Sequence, residues 1–222
     1  MQTFHELLSA LSLGGATVYP LLALAVLAVA IILEKGFVFA RRTRLPASTL
    51  DLVETYGFAW DDLERELARL GRRNYFRRFF AIILDNDENP PWWVESRAAD
   101  EASLIEKSLG SWLWVLETIV TAAPLLGLLG TITGMIRAFK LFGEQGLVDP
   151  AGVTGGVAEA LIATALGLLI ALVALFAFNY FSQRQAQVMD EIERLGTRLV
   201  DHIRLDKGAI EPGQPAGRVR TP

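Results

Sequence analysis

The chain has 222 residues, 52% of them hydrophobic, and a mean hydropathy of +0.34, which is high for a soluble domain of this size. Its net charge of −4 argues against a nucleic-acid-binding protein, and the absence of cysteine excludes disulfides and thiolate metal sites. The two histidines, His5 and His202, lie at opposite ends of the sequence, which disfavours a histidine-based metal or catalytic cluster within one chain. This composition indicates membrane helices.

The first apolar run covers residues 16–32, and it extends to residue 40 if Glu34 and Lys35 lie near the membrane interface. About 20 apolar residues cross the hydrocarbon core, so 16–40 is predicted as transmembrane helix one. No Lys or Arg precedes the run, and three arginines follow it at once: Arg41, Arg42 and Arg44. The positive-inside rule then places the N-terminus outside the cell membrane and residue 41 in the cytoplasm.

A polar, turn-rich insertion with short helices follows at 41–112. Four arginines alternate with four aromatic residues within it: Arg72, Arg73, Tyr75, Phe76, Arg77, Arg78, Phe79 and Phe80. One interpretation is a nucleic-acid-binding patch. The other is a short amphipathic helix under anionic lipid headgroups, which the flanking membrane helices favour.

From Pro91 onward apolar residues recur at helical spacing without a break, which predicts one long helix that runs from the cytoplasm into the bilayer. A third helix returns after a short loop, and its apolar stripe continues past the membrane: Val188, Ile192, Leu195, Leu199 and Ile203. The sequence therefore predicts an all-α membrane protein. Transmembrane helices two and three extend far into the cytoplasm, and short cytoplasmic helices complete the fold.

The predicted order is a short periplasmic N-terminus (1–15), transmembrane helix one (16–40), a cytoplasmic helical insertion (41–112), transmembrane helix two (113–136), a periplasmic loop (137–156), transmembrane helix three (157–181), a cytoplasmic helix (182–207) and a disordered tail (208–222). Of the 21 Lys and Arg residues, this order puts 19 in the cytoplasm, whereas the opposite orientation would put those 19 outside.

Helix two contains glycines and a proline that a simple anchor does not need. Gly127, Gly130 and Gly134 are interpreted as helix-packing positions, because glycine lets two backbones approach closely. Pro124 removes a backbone hydrogen bond in mid-membrane, and two interpretations of it are equally favoured: a harmless kink, and a bend that shapes a pore.

Four polar residues are candidates for a proton path: Glu159, Thr131, Thr164 and Glu117. A carboxylate at the centre of a span costs about 2.5–3.5 kcal/mol, and the small residues around Glu159 favour a pore-facing role over an interfacial acid. Thr131 and Thr164 are predicted to lie at similar depth on antiparallel helices. Glu117 either continues the path inward or pairs with a cytoplasmic arginine, and both alternatives stay open.

The stretches APLLGLLGTITGMI (123–136) and GGVAEALIATALGLL (155–169) closely resemble the ExbB/TolQ/MotA proton-channel family, and the three-span plan resembles its ExbB/TolQ branch. In the resemblance, Thr131 matches the helix-two threonine of the family, while Thr164 and Glu159 match its helix-three threonine and glutamate. The resemblance implies a ring, usually of five subunits, in the bacterial inner membrane, with a single-span ExbD- or TolR-like partner in its central pore.

It further implies that proton flow drives work on a TonB- or TolA-like energy transducer, in biopolymer or nutrient transport across the outer membrane or in envelope maintenance. The alternative is a non-conducting membrane scaffold that holds a single-span partner. A membrane enzyme is disfavoured, since no His/Ser/Asp or metal constellation is present in the sequence. Neither a cofactor nor a metal is predicted.

Overall fold

The computed structural model describes residues 17–55, 58–140 and 150–208, without the side chains of residues 150 and 151. These ranges contain seven helices: α1 (Val18–Arg42), α2 (Ala47–Glu54), α3 (Trp60–Arg69), α4 (Tyr75–Leu84), α5 (Pro91–Gly110), α6 (Leu113–Lys140) and α7 (Pro150–Asp206). No strand occurs within the described ranges, so the predicted all-α class is confirmed. The predicted N-terminal segment (1–15) and nearly all of the predicted disordered tail lie outside the described residues.

Three helical stretches are long and apolar enough to cross a membrane: Val18–Arg42, Pro91–Lys140 and Gly152–Asp206. The second and third have 50 and 55 residues, whereas about 20 residues suffice to cross a bilayer. The prediction of three spans, two of them with long extensions, is therefore confirmed. Only 28%, 28% and 22% of their most apolar windows are buried within the chain, so most of each span is left for lipid or other chains to cover.

The second stretch is interrupted, in contrast to the unbroken helix expected from Pro91. Helix α5 ends at Gly110 and α6 begins at Leu113. Between them, Trp112 has a backbone φ of 65°, a value that a bulky side chain rarely adopts. The periodicity of the apolar residues continues across this break, which is why the sequence pattern did not reveal it.

The chain divides into two compact units, the first made of Met1–Lys35 and Trp112–Ser182. It contains most of α1, all of α6 and the first part of α7. Helix α6 continues to Lys140 and α7 begins at Pro150, so both helices extend into the connection predicted at 137–156. Gly155 and Gly156 lie inside α7, and Gly156 packs there against Ala138 of α6.

The second unit consists of Gly36–Ser111 and Gln183–Pro222, and its core overturns the favoured interpretation of the arginine-aromatic segment. Helix α4 buries its aromatic residues completely or nearly so: Tyr75, Phe76, Phe79 and Phe80. Arg78 pairs with Glu101 of α5 at 2.7 Å. An aromatic face that is already packed inside the protein cannot lie among lipid headgroups, so that interpretation is wrong, and the same burial removes the nucleic-acid patch.

The second part of α7 supplies the other side of this core. All five residues of its predicted apolar stripe are at most 4% exposed, which confirms the stripe. Gly196 of α7 faces the ring of Phe79, since a Cβ built on that glycine would lie 2.6 Å from the Phe79 Cζ. Arg194 donates a hydrogen bond to Glu54 and thereby lowers the pKa of that carboxyl group. The second part of α7 is thus one wall of a packed helical core.

Candidate functional site: the seam of helices α6 and α7

Helices α6 and α7 pack antiparallel along a seam of small residues in the first unit. A Cβ built on Gly130 would lie 2.5 Å from the Cβ of Ala163, and one built on Gly134 would lie 2.8 Å from the Cβ of Ala160. The successive contacts along the seam are Ala123 with Gly167, Gly127 with Thr164, Gly130 with Ala163, Gly134 with Ala160, and Ala138 with Gly156. Close approach of this kind lets polar groups on one helix reach the backbone of the other.

Gly167, which was not among the predicted packing glycines, makes the tightest backbone approach in this seam. A Cβ built on Gly167 would lie 2.5 Å from the carbonyl oxygen of Ala123, directly before Pro124. Gly167 lies four residues after Ala163 and seven after Ala160, and this spacing places all three small residues on one face of the helix. That pattern could have predicted its role. Helix α6 continues through Pro124, whose side chain is half-buried.

Thr164 links the two helices by a hydrogen bond. Its Oγ1 donates to the carbonyl oxygen of Gly127 at 2.9 Å, and the side chain is half-buried. A threonine in a membrane helix more often bonds its own helix backbone. The bond across the seam is possible because Gly127 has no side chain to hold the helices apart.

Thr131 has a different environment from Thr164. Its Oγ1 donates to Leu128 O of its own helix at 2.6 Å. The two hydroxyl groups donate to carbonyl oxygens of consecutive residues of α6, Leu128 for Thr131 and Gly127 for Thr164. Consecutive residues rise by about 1.5 Å along a helix axis, so the two hydroxyl groups lie at similar depth, which agrees with the prediction.

Glu159 lies near the end of the seam that leads into the connection between the helices. Its Oε1 accepts a hydrogen bond from Arg137 Nη1 at 2.5 Å, and this ion pair joins α7 to α6. Glu159 stands out in the sequence but Arg137 does not, because 22 residues separate the two. The signal was present nonetheless: Arg137 is one of only two cations in 113–140.

Glu117 is exposed on α6, close to the start of that helix. It shares a face of α6 with Thr121 and Thr131, which follow at four and fourteen residues. Thr121 is also exposed, and its hydroxyl donates to Thr118 O. The exposed polar groups on one face of an otherwise apolar helix favour a covered, hydrated surface over one that faces lipid tails.

The two threonines should respond differently to removal of the hydroxyl group. Thr164→Val keeps the branched shape but loses the bond across the seam, and it should lower the free energy of unfolding by about 0.6–1.7 kcal/mol. Thr131→Val loses only a bond within α6 and should change it by less than about 0.5 kcal/mol. Chemical unfolding in detergent micelles measures both, with Thr164→Ser as the control that keeps the donor. Equal losses in the two valine variants would contradict the assignment.

The sequence of the chain is similar to those of known membrane proteins. Residues 62–194 match the MotA/TolQ/ExbB proton channel family. The chain is 32% identical over 200 residues to the putative biopolymer transport protein ExbB-like 1 of Synechocystis sp. (strain ATCC 27184 / PCC 6803 / Kazusa), covering 84% of this chain and 74% of that protein. It is 32% identical over 174 residues to ExbB-like 3 of the same organism, covering 76% and 81%.

A shorter match, 40% identical over 93 residues, relates it to the biopolymer transport protein ExbB of Xanthomonas campestris pv. campestris (strain B100), covering 42% of this chain and 37% of that protein. The family match includes the whole of α6 and the first part of α7, where the seam lies. The chain is a multi-pass membrane protein that belongs to the MotA/TolQ/ExbB proton channel family.

Proposed function

We propose that this protein is a proton-conducting motor subunit of a bacterial inner-membrane complex, in which α6 and α7 line the proton path. The observation that carries the proposal is the seam itself, where Thr164 and the pair of Glu159 with Arg137 lie within otherwise apolar helices. Polar groups in that setting are costly unless they face a cavity or a path. The proposed path uses Thr131, Thr164 and Glu159, with Glu117 as a possible inner continuation.

The proposed assembly is a ring of identical chains, with five as the number that the family resemblance implies. Support comes from the large apolar surface that α6 and α7 leave exposed, which includes Leu125, Leu129, Leu168 and Leu172. Glu117 and Thr121 interrupt that surface on α6. A single chain therefore cannot enclose a hydrated path, whereas a ring of small-residue helices can.

The proposed partner is a single-span protein of the ExbD or TolR type inside the ring, and the work is passed to a TonB- or TolA-like transducer. A proton that crosses 100 mV releases about 2.3 kcal/mol, so the flux can do mechanical work without a nucleotide. The proposed orientation places the N-terminus and the 141–149 connection in the periplasm and the C-terminus in the cytoplasm. The distribution of Lys and Arg supports it, with none before residue 35 and seven after residue 181.

Proton flux in liposomes tests this function. The protein is co-purified with its single-span partner, reconstituted, and given a pH gradient and a membrane potential. Flux should rise well above the leak of liposomes that contain either protein alone. Flux at the leak level, from a complex that remains assembled in detergent, would instead support a non-conducting scaffold that only holds the partner.

A further inference from the structure

A groove with a volume of about 520 Å³ runs along the second unit, between α5 and the second part of α7. Small residues line its middle: Ala98, Ala99, Ala102 and Ser103 of α5, and Gly196 of α7. The ring of Phe79, which is 2% exposed, lies against Gly196 at the base of the groove. The groove therefore offers an apolar floor to a further segment of polypeptide.

The rim of the groove is acidic. Glu95 of α5 pairs there with Arg204 of α7 at 2.9 Å. The other two charged residues of the lining, Glu106 and Glu193, are exposed, and neither forms an ion pair with a cation of the described ranges. Glu106 follows Glu95 by eleven residues, and Glu193 precedes Arg204 by eleven. Eleven residues rise about 16 Å, so both carboxylates lie about that far along the groove from the ion pair.

Helix α7 ends at the same end of the groove as this ion pair. Lys207 Nζ donates a hydrogen bond to Asn89 O at 2.6 Å, directly before α5 begins at Pro91. Gly208 then adopts a φ of 64°, and its N–H donates to Leu205 O at 3.0 Å. A glycine with positive φ at this position closes a helix and turns the chain away from the helix axis. Residue 209 therefore follows at one mouth of the groove.

The segment 209–222 has the length and the charge that the groove requires. It contains two cations, Arg218 and Arg220, and one carboxylate, Glu211. Glu193 precedes Gly208 by fifteen residues of α7, a distance of about 22 Å along the helix. Arg218 follows Gly208 by ten residues, which span up to about 33 Å when extended. The segment can therefore turn at Gly208 and still reach the two carboxylates.

We infer that residues 209–222 fold back from Gly208 along the groove between α5 and α7 and place Arg218 and Arg220 beside Glu193 and Glu106. Two cations then face the two carboxylates of the rim that have no described counter-charge. The segment covers the apolar floor between them, so no other chain can occupy the groove at the same time. This contact joins the end of the chain to its own helical core, and it is independent of the proton path.

Disulfide cross-linking tests the inference, because the chain has no cysteine of its own. Ser103→Cys places a thiol in the groove, and Val219→Cys places one between the two arginines. The matched control replaces Ser103→Cys by Leu104→Cys, since Leu104 is 55% exposed and does not line the groove. In the purified complex with its partner, mild oxidation should join residues 103 and 219 of one chain at least about tenfold faster than 104 and 219, since docking raises the effective concentration.

Charge reversal tests the two arginines in the same cross-linking pair. Arg218→Glu/Arg220→Glu should lower the rate to that of the Leu104→Cys control, because like charges would then face each other across the rim. Adding Glu106→Arg/Glu193→Arg should restore most of the rate. Both carboxylates are exposed, so their replacement leaves the core intact, and circular dichroism checks the helix content. A loss of rate that the second pair of substitutions does not reverse would overturn the assignment of the arginines.

Three other outcomes would overturn the docking itself. Equal rates for the groove and control pairs would mean that the segment does not occupy the groove. A cross-link that joins two chains, seen as a product of twice the mass in a denaturing gel, would assign the groove to the segment of a second copy. A fast rate in the protein alone that falls to the control rate in the complex would assign the groove to the single-span partner.

Discussion

Glu159→Gln is expected to reduce partner-dependent proton flux to the leak level. Glutamine keeps the shape of the side chain and can accept a hydrogen bond from Arg137, but it cannot take up and release a proton. The chain offers no second carboxylate in 150–182 to replace it. Flux in liposomes that contain the partner measures the effect, and elution of the complex in detergent shows whether the assembly is intact.

Two further variants make this result specific. In Glu159→Gln, Arg137 keeps its charge but has no carboxylate to pair with. The double variant Arg137→Gln/Glu159→Gln removes this unpaired cation as well, and its proton flux should stay at the leak level if the missing carboxylate is the cause. Apart from Glu34 and Glu159, the described spans of the first unit contain one more carboxylate, Glu117, near the opposite end of α6. Glu117→Gln removes that carboxylate. Loss of flux there would place Glu117 on the inner path, and retained flux would exclude it. Wild-type flux in Glu159→Gln would refute the site.

Gly167→Ala should cause the largest loss of stability among single-methyl changes in the seam. The added Cβ would meet Ala123 O at 2.5 Å and Gly127 Cα at 3.1 Å, and both are backbone atoms that cannot move without separating α6 from α7. Overpacking of this kind costs about 1–3 kcal/mol. The free energy of unfolding in detergent measures the loss.

Gly155→Ala is the matched control within the same helix. A Cβ on Gly155 meets no atom within 4 Å, so the change should raise the free energy of unfolding by about 0.5–1 kcal/mol through helix propensity alone. If the free energy of unfolding falls in Gly167→Ala and rises in Gly155→Ala, the contact with α6 determines the effect at residue 167, and not the loss of a glycine as such. A stable Gly167→Ala variant would mean that the helices lie farther apart than described.

The seam could be predicted in part from the sequence. The apolar runs, the glycines of α6 and the polar residues Thr164 and Glu159 all stand out, because hydropathy and residue size are local properties. The pairing of these residues with groups on the facing helix did not stand out. Arg137 and Gly127 lie 22 and 37 residues from the groups that they contact, and no local pattern reports which side of one helix faces another.

The sequence by itself determined the helical class, the three spans and the apolar stripe of the second part of α7, since an apolar run of about 20 residues crosses a bilayer and a period of 3.6 residues puts apolar side chains on one face of a helix. Only the tertiary structure decided that the aromatic face of α4 lies inside a protein core rather than against lipid. An apolar helix face is equally satisfied by lipid and by side chains, so its sequence is the same in both cases. The pairing of Arg137 with Glu159 was likewise decided by packing, because the small residues of the seam fix how α6 and α7 are rotated toward each other.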